Sequence, residues 1–259
     1  MLKETTAVGS WIVTPRLNPR ARLRLFCFPY SGGGASIFWT WPQRLPEAVE
    51  VCAVQLPGRE TRFREVPVTD VLETVGTLAD VLRPCLTLPY AFFGHSLGAF
   101  VSFELIRQLR RQNALLPVHF FVSGQHAPQL PNPNPPIHRL PGNEFISELC
   151  HRYNGIPQEV LQCHELMQIL LPVLRADLRM AETYVYIDDN KPLDCPITCL
   201  GGQKDPQTTN ETLAAWGKQT RSNFKVRMFP GDHFFIQSER ISVLQALSEE
   251  LKGYTHASV

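Results

Sequence analysis

No apolar run in this 259-residue chain approaches the roughly 20 residues needed to cross a bilayer. Met1 to Ser10 lacks the basic-then-apolar pattern of a secretory leader, so the expected location is cytoplasmic. An excess of one charge is missing as well. The 25 Lys and Arg balance 24 Asp and Glu, for a formal charge of +1, which excludes the basic surplus that marks a nucleic-acid partner. Paired cysteines are also lacking. The seven (Cys27, Cys52, Cys85, Cys150, Cys163, Cys195, Cys199) are odd in number and scattered, without a Cys-x-x-Cys, which argues for buried thiols against a disulfide framework. Cys150-His151 and Cys163-His164 each join two metal-ligand types, but both pairs fall in helical patterns without further ligand spacing. Helix packing is the expected role, and no metal or other cofactor is implied.

What is present centres on Leu88 to Phe100. An apolar run ends in Gly94-His95-Ser96-Leu97-Gly98, and a helical pattern follows at once to about Gln112. A serine at the tip of such a strand-turn-helix occupies a strained backbone position, and the flanking glycines let the helix pass close to the strand. Ser96 then stands clear of the sheet, with the N–H of Leu97 aimed at a developing oxyanion.

The rest of the chain alternates around this elbow. Trp11-Ile12-Val13 reads as a short edge strand. Arg22 to Phe28, Val49 to Leu56, the elbow strand and His119 to Gly124 read as buried strands, with a helix over Val71 to Leu86 that starts near Asp70. This rhythm predicts a mostly parallel sheet covered by helices on both faces. It breaks at Pro128 to Pro141, rich in Pro and Asn. Two helical segments follow without strands, about Asn143 to Tyr153 and Pro157 to Tyr184, the second with a leucine stripe and a kink expected at Pro172. Strands resume at Ile197 to Leu200 and Phe224 to Phe229, with helices over Glu211 to Gln219 and Ile241 to Leu251. The expected organisation is a single domain over 1–259, with residues 126–190 inserted as a helical lid on the side where strands end and ligands bind.

The glycine-rich loop Pro29 to Ala35 lacks the Lys-Ser/Thr of a phosphate-binding P-loop and the Gly-x-Gly-x-x-Gly spacing. It reads instead as the source of a second oxyanion donor, the N–H of Ser31. A serine hydroxyl needs a base, and the base an acid to orient it. In the α/β-hydrolase arrangement these follow in the order serine, acid, histidine, each after a strand. Asp205 and His233 stand just past the last two strands. Asp194 precedes its strand, Asp188 and Asp189 lie in the lid's return, and Asp232 adjoins His233. His95 is held by the elbow, His119 starts a strand at its far end, and His126 and His138 lie in the lid entrance, solvated or behind the primary site.

Six stretches in order, Phe28 to Gly34, Gln55 to Glu60, Gly94 to Ala99, Leu171 to Asp177, Gly201 to Asp205 and Gly231 to Phe235, resemble the motif set of type II thioesterases. These are discrete α/β-hydrolases that accompany polyketide synthases and nonribosomal peptide synthetases and are similar to the medium-chain thioesterase of animal fatty-acid synthesis. The match spans about Leu23 to Ile236. One departure is Tyr30-Ser31, where many members carry His-Ala or another aromatic followed by Ala; a backbone donor survives that change.

The resemblance implies a thioesterase that hydrolyses acyl groups from the phosphopantetheine arm of an acyl or peptidyl carrier protein, acting in trans as an editing enzyme. Ser96, Asp205 and His233 would form the triad, with the N–H groups of Ser31 and Leu97 as the oxyanion hole. It implies no cofactor. Carriers of this kind are acidic, so Arg59, Arg62 and Arg64, beyond a strand's C-terminal end, are candidates for a docking rim; the alternative is that Arg59 braces its own loop through an internal ion pair while Arg62 and Arg64 are solvated. Arg107, Arg110 and Arg111 lie too far along the elbow helix to join such a rim. A carboxylester hydrolase or an acyltransferase would use the same triad, and a non-enzymatic binding module would not need it.

Overall fold

The computed structural model describes residues 11–153 and 158–255. A seven-stranded sheet runs through it in the order β1-β3-β2-β4-β5-β6-β7, comprising β1 (Ile12–Val13), β2 (Leu23–Phe28), β3 (Val49–Val54), β4 (Tyr90–His95), β5 (His119–Ser123), β6 (Ile197–Gly202) and β7 (Phe224–Phe229). All neighbours are parallel except the antiparallel edge strand β1. The carboxyl ends of β2, β4, β6 and β7 therefore open onto one rim.

Side chains alternate across this sheet, as a period of two demands. Phe26, Phe28, Tyr90 and Phe92 pack on one face, while Leu25, Cys27, Ala91 and Phe93 pack on the other. Helices α1 (Val71–Leu82) and α2 (Leu97–Arg111) cover the first face, and α8 (Arg240–Thr255) covers the second. Phe26 meets Tyr90 and Phe92 edge-on at 5.8 and 5.9 Å, and each fully buried ring contributes about 2 kcal/mol by removal from water. Asp70 caps α1 by accepting from the Glu73 N–H at 2.9 Å.

Between β5 and β6 lie α3 (Gly142–Tyr153), α4 (Gln158–Gln162) and α5 (His164–Thr183). The leucine stripe predicted one helix from Pro157 to Tyr184. Its start lies outside the described residues, and the remainder is broken at Cys163, whose extended backbone (φ −95°, ψ 101°) separates α4 from α5. Pro172 stands inside α5. These helices have a small core of their own, Ile137, Phe145, Leu149, Leu174 and Leu178, with the Arg175 guanidinium over the Phe145 ring at 4.2 Å. The next expected helix, Glu211 to Gln219, is also divided, into α6 (Asn210–Ala214) and a 3₁₀ turn over Ala215–Gln219. A four-residue helix, α7 (Phe235–Ser238), precedes α8. No described helix is long and apolar enough to cross a membrane.

At the elbow the helix passes directly against the sheet backbone. A methyl group on Gly98 would lie 2.7 Å from the Pro29 carbonyl oxygen and closer still to that of Phe28. These are backbone atoms at the sheet's centre and cannot give way, so Gly98→Ala is expected to destabilise the fold by about 3 kcal/mol. A lowered urea midpoint checks this; an unchanged one would mean that α2 can shift off the sheet.

Candidate active site

Ser96 occupies φ 53°, ψ −120°, a conformation that costs a non-glycine residue on the order of 1–3 kcal/mol. Its N–H donates to the Ser123 carbonyl at 2.8 Å, and its own carbonyl accepts from Ala99 at 2.9 Å, so the strained turn is pinned from both sides. A serine before a helix usually spends its hydroxyl on capping. Here it makes no cap bond, and Ser96 lines a cavity of about 230 Å³ at the carboxyl rim of the sheet.

His233 lines the same cavity. Its Nδ1 is 2.9 Å from Asp205 Oδ2, and both side chains are buried. A carboxylate only accepts, so Nδ1 carries the proton and Nε2 keeps its lone pair for a base's work. Asp205 is oriented in turn: Oδ1 accepts from the Gln207 N–H at 2.8 Å and Oδ2 from the Thr208 hydroxyl at 2.9 Å. Three loops, after β4, β6 and β7, thus bring Ser96, Asp205 and His233 to one place, although no direct hydrogen bond joins Ser96 to His233. Tyr153 of α3 packs edge-on against His233 at 5.4 Å, and His95 lies on another side at 5.2 Å.

Half of the amides of the glycine-rich loop are spent, and Tyr30 and Gly34 N–H have no acceptor among the described residues. Gly32 N–H goes to Asp177, Gly33 to Tyr30, Ala35 to Gln55 and Ser36 to Glu60. Ser31 N–H and Leu97 N–H have no acceptor among the described residues, and Ser31 borders the cavity. The rest of the wall is divided. Leu149, Val160, Leu170, Leu174, Leu178 and Ala181, all from the inserted helices, give an apolar side; Gln125, His126, Asn132 and Gln207 give a polar one.

Several expectations need correction. Arg59 and Arg62 do not form a docking rim, because both are buried and already paired. Arg59 holds Asp177 through two 2.7 Å bonds. Arg62 binds Glu65 at 2.6 and 2.8 Å and lies over the Trp11 ring at 4.1 Å. Only Arg64 of the three is exposed, and exposed Glu60 and Glu65 nearby cancel a positive field. For His126 and His138, both buried, the solvated one of their two expected places is excluded. His126 sits edge-on to Phe100 at 5.5 Å, and His138 Nδ1 pairs with Glu182 at 2.6 Å. Arg107 and Arg110 bind Asp189 in the lid's return, in keeping with their exclusion from the rim.

Sequence reasoning gave no role to Asp177, although a charge three residues from Leu174 and seven from Leu170, on an apolar stripe, signals a buried ion pair. It also missed Thr208 and Tyr153, for which residue type and spacing carry no signal.

Three histidines outside the Asp205 pair, His95, His119 and His126, are lowered by burial and set an acid limit on stability. Burial pushes His95 well below 6.5 and His119 down to about 4. An unfolded chain binds these protons first, so the stability each neutral ring contributes is present above 6.5 and is lost as pH falls from 6.5 towards the folded value. For His119 the loss is on the order of 3 kcal/mol between pH 6.5 and 4. Urea midpoints over that range are expected to fall, and His119→Gln to flatten the decline; parallel curves for the two proteins would assign the loss elsewhere.

Residues 23–251 match the family profile of the thioesterase domain. The chain belongs to the thioesterase family. This thioesterase is 46% identical, over 245 residues and 95% of either chain, to the gramicidin S biosynthesis protein GrsT of Aneurinibacillus migulanus. Among solved structures it resembles the RedJ thioesterase of the prodiginine pathway in Streptomyces coelicolor, at 39% identity and TM-score 0.84, covering 92% of this chain and 89% of that one. It also resembles the type II thioesterase BorB of the borrelidin cluster, at 34% identity and TM-score 0.82, covering 94% and 97%. The resemblance to type II thioesterases is thereby borne out, as is the α/β-hydrolase fold. The thioesterase is a hydrolase on a serine-hydrolase fold.

Proposed function

We propose that this thioesterase clears acyl groups from the phosphopantetheine arm of carrier proteins in polyketide or nonribosomal peptide synthesis, through an ester on Ser96. The supporting observation is the His233–Asp205 pair, buried and oriented, facing the cavity that Ser96 borders. Ser96 Oγ attacks the thioester carbonyl as His233 Nε2 takes its proton, and the N–H groups of Ser31 and Leu97 receive the oxyanion. The C–S bond then breaks and the pantetheine sulfur leaves with the proton from His233. Water, deprotonated by His233, hydrolyses the ester and frees the acid and Ser96. His95, buried and neutral, adds no positive charge against the developing imidazolium, which Asp205 stabilises.

In this reading residues 126–190 are a lid whose apolar wall holds the acyl chain, within one domain. Ala181→Leu, which adds three carbons to that wall, is expected to lower kcat/KM for long acyl chains about tenfold relative to acetyl. Melting temperature should barely change. An unaltered chain-length profile would make the insert purely structural.

The reading is tested by kcat/KM for one acyl group presented on a carrier protein, on coenzyme A and as a simple ester. Preference for the carrier is expected. A preference for the ester would favour a carboxylester hydrolase, and product formed on an added alcohol or amine would favour an acyltransferase.

A further inference from the structure

Among the described residues of the inserted helices, Asp177 is the most deeply buried charge, with a side chain wholly out of solvent. It stands on the stripe of α5 that carries Leu170, Leu174 and Leu178, so its place in the chain is also the place of the chamber's apolar wall. Oδ2 accepts from the Gly32 N–H and from Arg59 Nη1, each at 2.7 Å, and Oδ1 from Arg59 Nη2 at 2.7 Å. Arg59 Nη1 also donates to the Gly33 carbonyl at 3.0 Å.

The anchoring continues one step further. Gln55 Nε2 donates to the Arg59 carbonyl at 2.9 Å, while Gln55 Oε1 accepts from the Ala35 N–H at 2.7 Å. Gly32 N–H, Gly33 C=O and Ala35 N–H are thus held by one buried network that begins on α5. Gly32 lies at φ +81°, and a methyl group there would meet Leu174 Cδ2 at 2.5 Å, so loop and helix touch with nothing between them.

A buried ion pair contributes little net stability over apolar groups of the same size. Its geometry is another matter, because a bidentate arginine and carboxylate hold each other in one plane. The amide fixed by Asp177 follows Ser31 directly, and Ser31 borders the cavity with no acceptor for its own N–H among the described residues.

We infer that Asp177, held by Arg59, is a positioning residue for the oxyanion hole: it sets the Ser31–Gly32 turn and locks that donor to the helix that walls the acyl chamber. The inference rests on the assignment of Ser96 as nucleophile and Ser31 N–H as oxyanion donor. Chamber wall and oxyanion donor then move as one piece, and an acyl chain that displaces α5 also spoils the hole.

The test separates the acceptor from the charge. In the background Arg59→Met, Asp177→Asn keeps an oxygen for the Gly32 N–H, whereas Asp177→Leu removes it. Neither double variant leaves an unpaired buried charge, so both are expected to fold; Asp177→Ala in the same background makes the comparison if leucine is not accommodated. With a thioester substrate, the asparagine variant is expected to stay within about threefold of the parent kcat. The leucine variant should lose about 30-fold or more with KM little changed, since a lost oxyanion donor costs about 100- to 1,000-fold. Affinity for an acyl boronic acid, which forms a tetrahedral adduct on the nucleophile, should fall in parallel.

Equal kcat in the two folded double variants overturns the inference, whether both fall or neither does. If Ser96→Ala is inactive in the same assays, that failure belongs to the positioning role alone. If Ser96→Ala still turns over, the assignment of the nucleophile fails and this inference falls with it.

Discussion

Ser96→Ala is expected to lower kcat for a thioester by about 10,000-fold or more, because loss of a triad nucleophile leaves only binding and oxyanion stabilisation. Far-ultraviolet circular dichroism and the melting temperature should hold, since the hydroxyl makes no cap bond and the Ser96 N–H keeps its bond to Ser123. Ser96→Gly should be equally inactive yet more stable by about 1 kcal/mol, because glycine relieves the cost of φ 53°. A folded Ser96→Ala enzyme with near-parental turnover would remove Ser96 from the chemistry and point to direct attack by water.

Asp205→Asn should lower kcat by about 10,000-fold as well, with geometry intact. The reason lies in the donor count. The Gln207 N–H needs an acceptor at the Oδ1 position, so the asparagine oxygen turns there and its NH₂ faces His233 Nδ1. That nitrogen must then accept, which moves the ring proton to Nε2, and Nε2 can no longer take the proton of Ser96. The Thr208 hydroxyl adapts by rotation, so stability should change little. Single-turnover acylation measures the loss, and a rise in kcat above about pH 8 with added imidazole would identify a missing base as its cause. Loss of turnover together with loss of fold would instead show Asp205 to be chiefly a clasp for the loop after β6.

Much of this was readable from local pattern. Strand ends at Phe28 and Phe229 fell where expected because buried parallel strands are short apolar runs bounded by Gly, Ser or Pro. Asp205 and His233 were placed in the loops where the structure brings them together, because parallel strands carry whatever follows them to the same rim. The break at Cys163 was not readable: an unbroken helical stripe is equally compatible with one helix or two, and packing over the chamber decides between them.

Arg59 and Arg62 show the other limit. From position alone, three arginines in six residues beyond a strand suit a surface patch or, for Arg59, an internal ion pair, and nothing nearby in sequence reveals that the partner is Asp177, 118 residues away. By itself the sequence determined the strands, their order, the elbow and the rim of the sheet to which Ser96, Asp205 and His233 come, since each follows from steric and solvation preferences spanning a few residues. Only the tertiary structure decided which charges are buried, which amides of the glycine-rich loop remain free and which leucines wall the chamber. Those depend on hydrogen bonds and contacts between segments far apart in the chain, where the first partner to arrive leaves the next group with or without one.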